Sequence, residues 1–471
     1  MWPRSPWRST ALLMPLVVGL LVATPPVARA HAVLLGSTPA DRGRVGAAPA
    51  RVTLRFSEPV ELLRSSDVLV VDEQRRPVLA GPAQRSPDDA RVVAVALRPK
   101  LPPASYTVRY RVISADAHII DGDTTFATGG AALKPAALGL QGGPGETSAW
   151  SVGARFLELV GLGGALALVA FRWLVWRPAW RGGDDHAPLA WFRDRFWTGL
   201  WTLIGVALAG EAAVLTTKTA TSLGKGVPAA IADPSGVYRF FSETRFGDHF
   251  QVRLAILLVA VAVASWEYLA EGIAEEERRE PPPRGGRAAP MLILGGLLAT
   301  CLALISSQGH ASQAPLSSLS VPVDTVHLMA VSVWVGGLGI LGLVLAALPR
   351  VARQGTALGA ALLARFSSLA LGLVAVAVLT GTLRAVGELA DPAQLWNTAY
   401  GRTIVAKVAL LCPLAVLALQ NRRIVAAVAT AGRANRATLR LVARNARIEL
   451  GLSLAIVLAA SLLVAEVPGR V

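Results

Sequence analysis

The sequence predicts a two-part membrane protein, in which an all-β domain is followed by an all-α bundle of eight transmembrane helices. Three observations lead to this prediction. Short runs of alternating apolar and polar residues occupy the first part, eight long apolar stretches occupy the rest, and arginines cluster between those stretches. The chain has 471 residues and is 53% hydrophobic. It is therefore too long for one domain and too apolar for a typical soluble protein.

Residues 1–30 have the pattern of a secretory signal peptide. A positive start and an apolar core precede the small-residue cleavage site Ala28-Arg29-Ala30. Cleavage there makes His31 the mature N-terminus. An N-terminal histidine offers its α-amino group and its ring nitrogen side by side. This chelate suits Cu(II), which favours nitrogen ligands in tetragonal geometry.

Residues 31–130 are expected to form a small β-sandwich. Val52, Leu54 and Phe56 alternate with polar residues, and a second alternating run follows between Tyr106 and Val112. Several short strands separated by turns are typical of a β-sandwich of the immunoglobulin-like type. We expect a Greek-key strand order like that of cupredoxins.

One loop of this domain carries Asp116 and His118, and His118 is the only histidine of residues 31–130 besides His31. Residues two apart in an extended segment point to the same side, so these two side chains can converge. Together with the amine and ring of His31 they supply three nitrogens and one carboxylate oxygen, a square-planar set for Cu(II). The alternative is an aspartate that caps a turn beside an exposed histidine.

Residues 131–150 are rich in glycine and other small residues, and they are predicted to be a flexible linker that tethers the β domain near the membrane. The membrane domain then occupies residues 151–471. Each of its eight apolar stretches is long enough to cross a bilayer. The predicted spans are approximately 152–176, 196–217, 252–270, 290–307, 321–348, 366–387, 403–420 and 448–466.

The orientation follows from the signal peptide, which places the β domain outside the cell. An even number of spans then places the C-terminus outside as well. Within residues 151–471, the segments that are predicted to be cytoplasmic carry most of the arginines, as the positive-inside rule requires. The net charge of +15 is thus explained by membrane topology, and nucleic acid is not a predicted partner. The predicted location is the plasma (inner) membrane of a bacterial cell.

A repeated motif suggests that the bundle consists of two tandem four-helix repeats of parallel topology. Thr244-Arg-Phe-Gly247 stands six residues before Arg253, and Thr398-Ala-Tyr-Gly401 stands six residues before Lys407. Each copy comes just before a predicted span, the third and the seventh.

Two histidines are candidates for a site in the membrane domain. His310 closes the fourth span and His327 lies in the outer half of the fifth, so the two could meet near the external mouth. Ionisable groups inside spans are costly and are candidates for function, although structural ion pairs or snorkelling are the alternative. Acid and base could pair, for example Glu211 with Lys407. The ionisable candidates are Glu158, Glu211, Asp324, Arg384 and Lys407.

Four stretches of the β domain resemble the periplasmic copper-binding protein CopC. They are His31-Ala-Val-Leu-Leu-Gly-Ser-Thr-Pro, Leu54-Arg-Phe-Ser-Glu58, Ser114-Ala-Asp-Ala-His118 and Gly122-Asp-Thr-Thr-Phe126. The resemblance implies that His31, Asp116 and His118 bind Cu(II), and that Glu58 lies near the metal. Residues 31–130 contain no methionine, so the thioether Cu(I) site of some CopC proteins is not expected.

The membrane half resembles CopD, the membrane partner of CopC, through sparser motifs. These are Gly309-His-Ala311, His327 with Trp334 and Gly336-Gly337, Thr380-Gly381, and Tyr400-Gly401 with Lys407. The whole chain is thus similar to a fusion of CopC and CopD, a family associated with copper uptake and copper tolerance.

The function predicted from these features is copper import rather than catalysis. The β domain captures Cu(II) outside and passes copper, with Cu(I) as a candidate form, to His310 and His327. Extracytoplasmic chaperones or reductants are candidate partners, besides copper ions and the lipid bilayer. One alternative is a membrane redox enzyme, with a histidine brace at His31 or haem held by the membrane histidines. Another is a copper-sequestering protein or sensor in which the bundle is only an anchor.

Overall fold

The computed structural model describes residues 32–63, 67–114, 119–136, 149–180, 185–276, 288–308, 317–353, 355–388, 391, 393–431 and 434–465. The predicted signal peptide lies outside these ranges, as do residues 137–148 of the predicted linker. Nine strands are found in the first part of the described chain. They are β1 (Leu34–Thr38), β2 (Gly43–Val45), β3 (Arg51–Phe56), β4 (Val60–Glu61), β5 (Val68–Val71), β6 (Gln84–Arg85), β7 (Val92–Ala96), β8 (Ser105–Ser114) and β9 (Ile119–Thr128).

The strands form two sheets that share one apolar core, so the predicted sandwich is confirmed. One sheet has the order β1-β3-β7-β6, and the other has the order β2-β9-β8-β4, with β5 also paired to β8. Neighbours such as β3 and β7 are far apart in the sequence, as a Greek key requires. The apolar residues of β3 alternate inward as predicted, and Phe56 packs edge-on against Tyr110 with ring centroids 5.6 Å apart.

Eight long helices follow. They are α1 (Ala149–Phe171), α2 (Ala187–Ser222), α3 (Arg245–Glu276), α4 (Ala288–Ser307), α5 (Ser317–Val351), α6 (Gly355–Glu388), α7 (Ala399–Ala431) and α8 (Arg436–Ala465). All eight are long and apolar enough to cross a membrane. The chain is therefore a multi-pass membrane protein.

Several helices extend beyond the predicted spans. The second predicted span starts at residue 196 but α2 starts at Ala187, and the eighth starts at 448 but α8 starts at Arg436. Hydropathy marks only the apolar part of a helix, whereas the backbone hydrogen-bond ladder continues into polar turns outside the bilayer. Much of the sequence between the predicted spans is therefore helical.

The two halves of the bundle are built alike. Helix α1 packs on α2 and α3 on α4, and α5 packs on α6 and α7 on α8 in the same way. Before α3, the Thr244 hydroxyl donates to Phe240 O (2.6 Å) and accepts from Gly247 N (3.0 Å). Before α7, Thr398 makes the same two bonds, to Gln394 O (2.7 Å) and from Gly401 N (2.9 Å). The sequence repeat thus corresponds to a repeated helix start.

Candidate metal centres

The ends of the chain segments that carry the predicted Cu(II) ligands meet in the β domain. His31, Asp116 and His118 lie outside the described residues, but Ala32 and Ser114 adjoin them. Ala32 N donates to the Ser114 hydroxyl (3.4 Å) and both residues are buried. Ile113 pairs with Ile119 across the β8–β9 hairpin, which closes the loop that contains Asp116 and His118. The backbone therefore brings the residue after His31 next to the base of that loop.

Glu58 completes this cluster. It follows the end of β3, and its Oε1 accepts a hydrogen bond of 2.5 Å from the Ser114 hydroxyl. Glu58 is only 3% exposed, so it is not a solvated carboxylate at a strand edge. Among the described residues, no group of three or more His, Cys, Asp and Glu side chains forms a metal-binding cluster. The three predicted ligands themselves lie outside that set.

The β domain is docked on the helical bundle by polar contacts at the same end of its second sheet. Glu61 Oε1 accepts from Arg245 N at the start of α3 (2.9 Å). Arg111 Nη2 donates to Thr221 O near the end of α2 (2.8 Å). Burial raises the pKa of the Glu61 carboxyl, although its hydrogen bond from Arg245 N partly opposes this.

An apolar contact accompanies these bonds. Ile113 of β8 belongs to one buried cluster with residues of α1, α2 and α3 and of the helix Pro234–Glu243. The other buried members are Ala154, Val214, Phe240, Phe246 and Phe250. Ile113 immediately precedes Ser114, so the predicted copper loop begins beside this contact. The sequence predicts only a flexible linker between the two domains. It does not predict this docking, because the contacts join residues far apart in the sequence.

His327 is buried between α5 and α6, while His310 lies outside the described residues. The Nδ1 atom of His327 is 3.0 Å from Ala377 O and 3.0 Å from Thr380 Oγ1. A carbonyl oxygen only accepts, so Nδ1 carries the proton, and the Thr380 hydroxyl is free to accept because it donates to Val376 O. A neutral imidazole that is protonated on Nδ1 has its free lone pair on Nε2. A histidine that binds a metal ion through Nε2 has this same protonation state.

Charged side chains surround His327. Asp324, one turn earlier on α5, pairs with Arg384 of α6 through Oδ1 and Nη1 at 2.6 Å. Arg384 and Lys407 both exert a positive field on His327, and Asp324 exerts the opposite field. Ionisable residues of α5, α6 and α7 that are predicted as candidates therefore lie near one another around His327. The cations oppose a bound copper ion, whereas the aspartate and Nε2 favour it.

A second buried group of charges lies in the first half of the bundle. Arg253 of α3 forms a two-pronged pair with Glu211 of α2, through Nε–Oε1 at 2.7 Å and Nη2–Oε2 at 2.6 Å. Its Nη2 is also 3.1 Å from Glu158 Oε1. Arg155 Nη1 donates to Glu158 Oε2 (2.6 Å). Glu158 and Glu211 come close because Gly210 packs on the α1 backbone, where a Cβ would lie 2.4 Å from Glu158 N.

The expected pairing of Glu211 with Lys407 is therefore wrong. Glu211 pairs within its own half of the bundle, because α1 packs on α2 and Arg253 reaches both from α3. Lys407 belongs to α7 in the other half. The repeated motif could have identified Arg253 as the cation of the first half, since Arg253 occupies the position in the first repeat that Lys407 occupies in the second.

The fold and these sites define a multi-pass membrane protein with a β-sandwich docked on one end of its helical bundle. The CopC domain model matches residues 34–129, and the model "Copper resistance protein D", CopD, matches residues 360–463. The chain therefore belongs to the copper resistance family and joins a CopC domain to a CopD domain. The CopD match lies in the second half of the bundle, a narrower range than the resemblance suggested.

The chain is also similar to three individual proteins. Copper transport protein CutJ of Bacillus subtilis is 26% identical over 84% of this chain and 68% of its own length. Copper resistance protein C of Pseudomonas syringae pv. tomato is 32% identical over 25% of this chain and 94% of its own length. The crystal structure of CopC from Methylosinus trichosporium OB3b is 30% identical, with 21% of this chain and 93% of that chain covered and a TM-score of 0.19. The first two names are those of copper transport and copper resistance proteins.

Proposed function

We propose that this chain captures Cu(II) outside the plasma membrane and delivers copper to its own transmembrane bundle for import. The α-amino group and ring of His31, with Asp116 and His118, hold Cu(II) in the β domain. Glu58 lies beside these ligands and compensates part of the metal's charge. His327 Nε2, together with His310, receives copper at the bundle. The β domain and the C-terminus face the outside in this scheme.

The observation that carries the proposal is the docking of the β domain by the end that bears the predicted site. Ser114, which adjoins the copper loop, follows Ile113, and Ile113 packs in one apolar cluster with the ends of α1, α2 and α3. Copper released from the loop would therefore meet the bundle without diffusing away. Covalent fusion of donor and acceptor also raises their effective concentration into the millimolar range.

The test is total cell copper under copper limitation, measured by mass spectrometry in wild type and in His310→Ala/His327→Ala. His186→Ala is the matched control, because His186 is exposed at the start of α2, at the other end of that helix from Thr221. Lower copper in the double variant alone supports import. Higher copper would indicate export, and unchanged copper would indicate that the bundle is only an anchor.

A further inference from the structure

A cavity of about 520 Å³ lies between α2 and α3 at the end of the bundle opposite the β domain. Arg193 and Trp197 of α2 line it, while Thr221 near the other end of α2 contacts the β domain. Arg193 and Thr221 are roughly 40 Å apart along the helix at 1.5 Å per residue. That is the thickness of a bilayer with its headgroups, so the cavity lies at the level of the second headgroup layer.

Three aromatic side chains form the wall of this cavity. The rings of Trp197 and Trp201 are nearly parallel with centroids 6.3 Å apart. Tyr268 of α3 stands edge-on to both, at 5.3 Å from Trp197 and 6.4 Å from Trp201. Tryptophan and tyrosine rings of this kind are typical of a membrane interface. Their faces also attract ammonium groups.

The charged groups of the cavity include both signs. Arg193 supplies a guanidinium, and Asp194 and Glu271 supply carboxylates. Arg193 Nη2 is 3.2 Å from Asp194 Oδ1, so these two side chains also pair with each other. The Glu271 carboxylate is held in position by Trp197 Nε1–H (2.8 Å) and by an ion pair with Arg172. Arg172 begins the π-helical segment Arg172–Trp176 that continues α1, a feature that is frequent at functional sites. A ligand that carries only negative charge would be repelled by the carboxylates of Asp194 and Glu271.

The outer rim of the cavity is apolar. Leu269 and Ile273 of α3 line it and are 61% and 56% exposed. Leu269 lies nearer the middle of α3 than Ile273 and would face the start of the acyl chains, so the site offers a polar recess and an apolar surface side by side. This combination matches an amphipathic molecule better than a soluble ion.

We infer that this cavity binds the headgroup of a zwitterionic phospholipid that carries a phosphate and a primary ammonium. The phosphate lies against Arg193, and the ammonium lies against Glu271, Asp194 and the faces of Trp201 and Tyr268. The acyl chains follow the apolar surface of α3. The lipid thereby fixes the ends of α2 and α3 opposite those that contact the β domain.

The inference is tested by native mass spectrometry of the full chain, released from nanodiscs with equal phosphatidylethanolamine and phosphatidylglycerol. Wild type should retain phosphatidylethanolamine preferentially. In Tyr268→Ala and Tyr268→Leu, retention should fall about tenfold, as expected for the loss of a desolvated cation–π contact. Trp266→Ala is the control, since it removes a 66% exposed ring two residues away that does not line the cavity.

Three results would overturn the inference. Equal retention of both lipids by wild type would contradict the zwitterionic headgroup. Equal losses in the Tyr268 variants and in Trp266→Ala would contradict the site. Tight binding of glycerophosphoethanolamine, which has the headgroup without acyl chains, would indicate a soluble ligand in place of a lipid. Gel filtration of each variant as a single sharp peak verifies that the comparison is between folded proteins.

Discussion

Glu61 of the β domain accepts a 2.9 Å hydrogen bond from the backbone N–H of Arg245, the first residue of α3. The first N–H groups of a helix have no partner within the helix, so a carboxylate placed there both satisfies a donor and complements the helix dipole. This bond joins the two parts of the chain at the end of the β domain that carries the predicted copper loop.

Removing this carboxylate should loosen the docked β domain. In Glu61→Ala the hydrogen-exchange protection of the Arg245 amide should fall about tenfold, because this N–H loses its partly buried hydrogen-bond acceptor. Exchange at the far end of α3 should stay unchanged. Asp88→Ala, which removes an exposed carboxylate of the same domain, is the control. If both variants gave the wild-type protection of Arg245, the contact would not hold the domains together.

The docked state should also depend on pH. Burial raises the pKa of Glu61 in the docked state, an effect that Asp248 reinforces and that the N–H and charge of Arg245 and the charge of Arg85 oppose. A raised pKa means that the docked state binds a proton more tightly than the undocked state. Docking should therefore strengthen as pH falls and weaken as pH rises through the raised pKa.

The measurement is the protection factor of the Arg245 amide at pH 5.5 and 7.5, corrected for the chemical exchange rate at each pH. Glu61→Gln replaces the carboxyl by a neutral amide of the same shape. The protection factor of the Arg245 amide should therefore vary less with pH in this variant than in the wild type. An identical pH response in wild type and in Glu61→Gln would show that another group controls docking.

The buried arginine of the first repeat should be essential for stability. Arg253→Met leaves Glu158 and Glu211 without their shared cation, and breaking a buried ion pair costs about 3–5 kcal/mol. The melting temperature of the purified protein in detergent should fall markedly. Arg239→Met, at an exposed position in the helix Pro234–Glu243, should melt like the wild type.

A combined variant separates charge from packing. Adding Glu158→Gln and Glu211→Gln to Arg253→Met removes the unpaired carboxylates and should recover part of the lost melting temperature. No recovery would mean that the volume of the guanidinium, not its charge, supports the fold.

Copper binding by the mature chain should depend on a free N-terminal His31. One residue added before His31 removes the amine from the chelate, and the Cu(II) affinity should fall by more than the roughly tenfold cost of losing an outer-shell partner. Glu58→Gln should show a smaller loss of about 10-fold, because Glu58 acts beside the ligands. Competition titration with a Cu(II) chelator measures both affinities.

Asp88→Asn is the control for both changes, since Asp88 is exposed and belongs to the same domain. Unchanged affinity after the N-terminal extension would exclude His31 as the chelating residue. If Glu58→Gln and Asp88→Asn had the same Cu(II) affinity, a contribution of Glu58 to copper binding would be excluded.

Much of the fold could be predicted because periodicity follows directly from burial. The alternation of Val52, Leu54 and Phe56 gave β3, and eight apolar stretches gave eight helices. The strands β4 and β6 have only two residues each, which is too few to show an alternation of apolar and polar residues. The sequence of β9 shows no strand pattern, because its Gly and Thr residues do not alternate with apolar residues.

The contacts between distant segments could not be predicted. Nothing local in the sequence shows that Glu61 meets Arg245, or that Glu211 meets Arg253 and not Lys407. Both pairings depend on how helices pack, which a single sequence does not determine. The position of His327 in a span predicts a candidate site, but the proton on its Nδ1 depends on Ala377 and Thr380, which lie on another helix.

The most direct test of the account is the entry of isotopic copper into proteoliposomes that contain only this chain. Cu(II), and separately Cu(I) with a reductant, would be supplied on the side of the β domain. Copper should enter these vesicles faster than protein-free vesicles. His327→Ala should abolish the difference, and His186→Ala should preserve it. Equal rates with and without the protein, for both forms of copper, would contradict transport through the bundle.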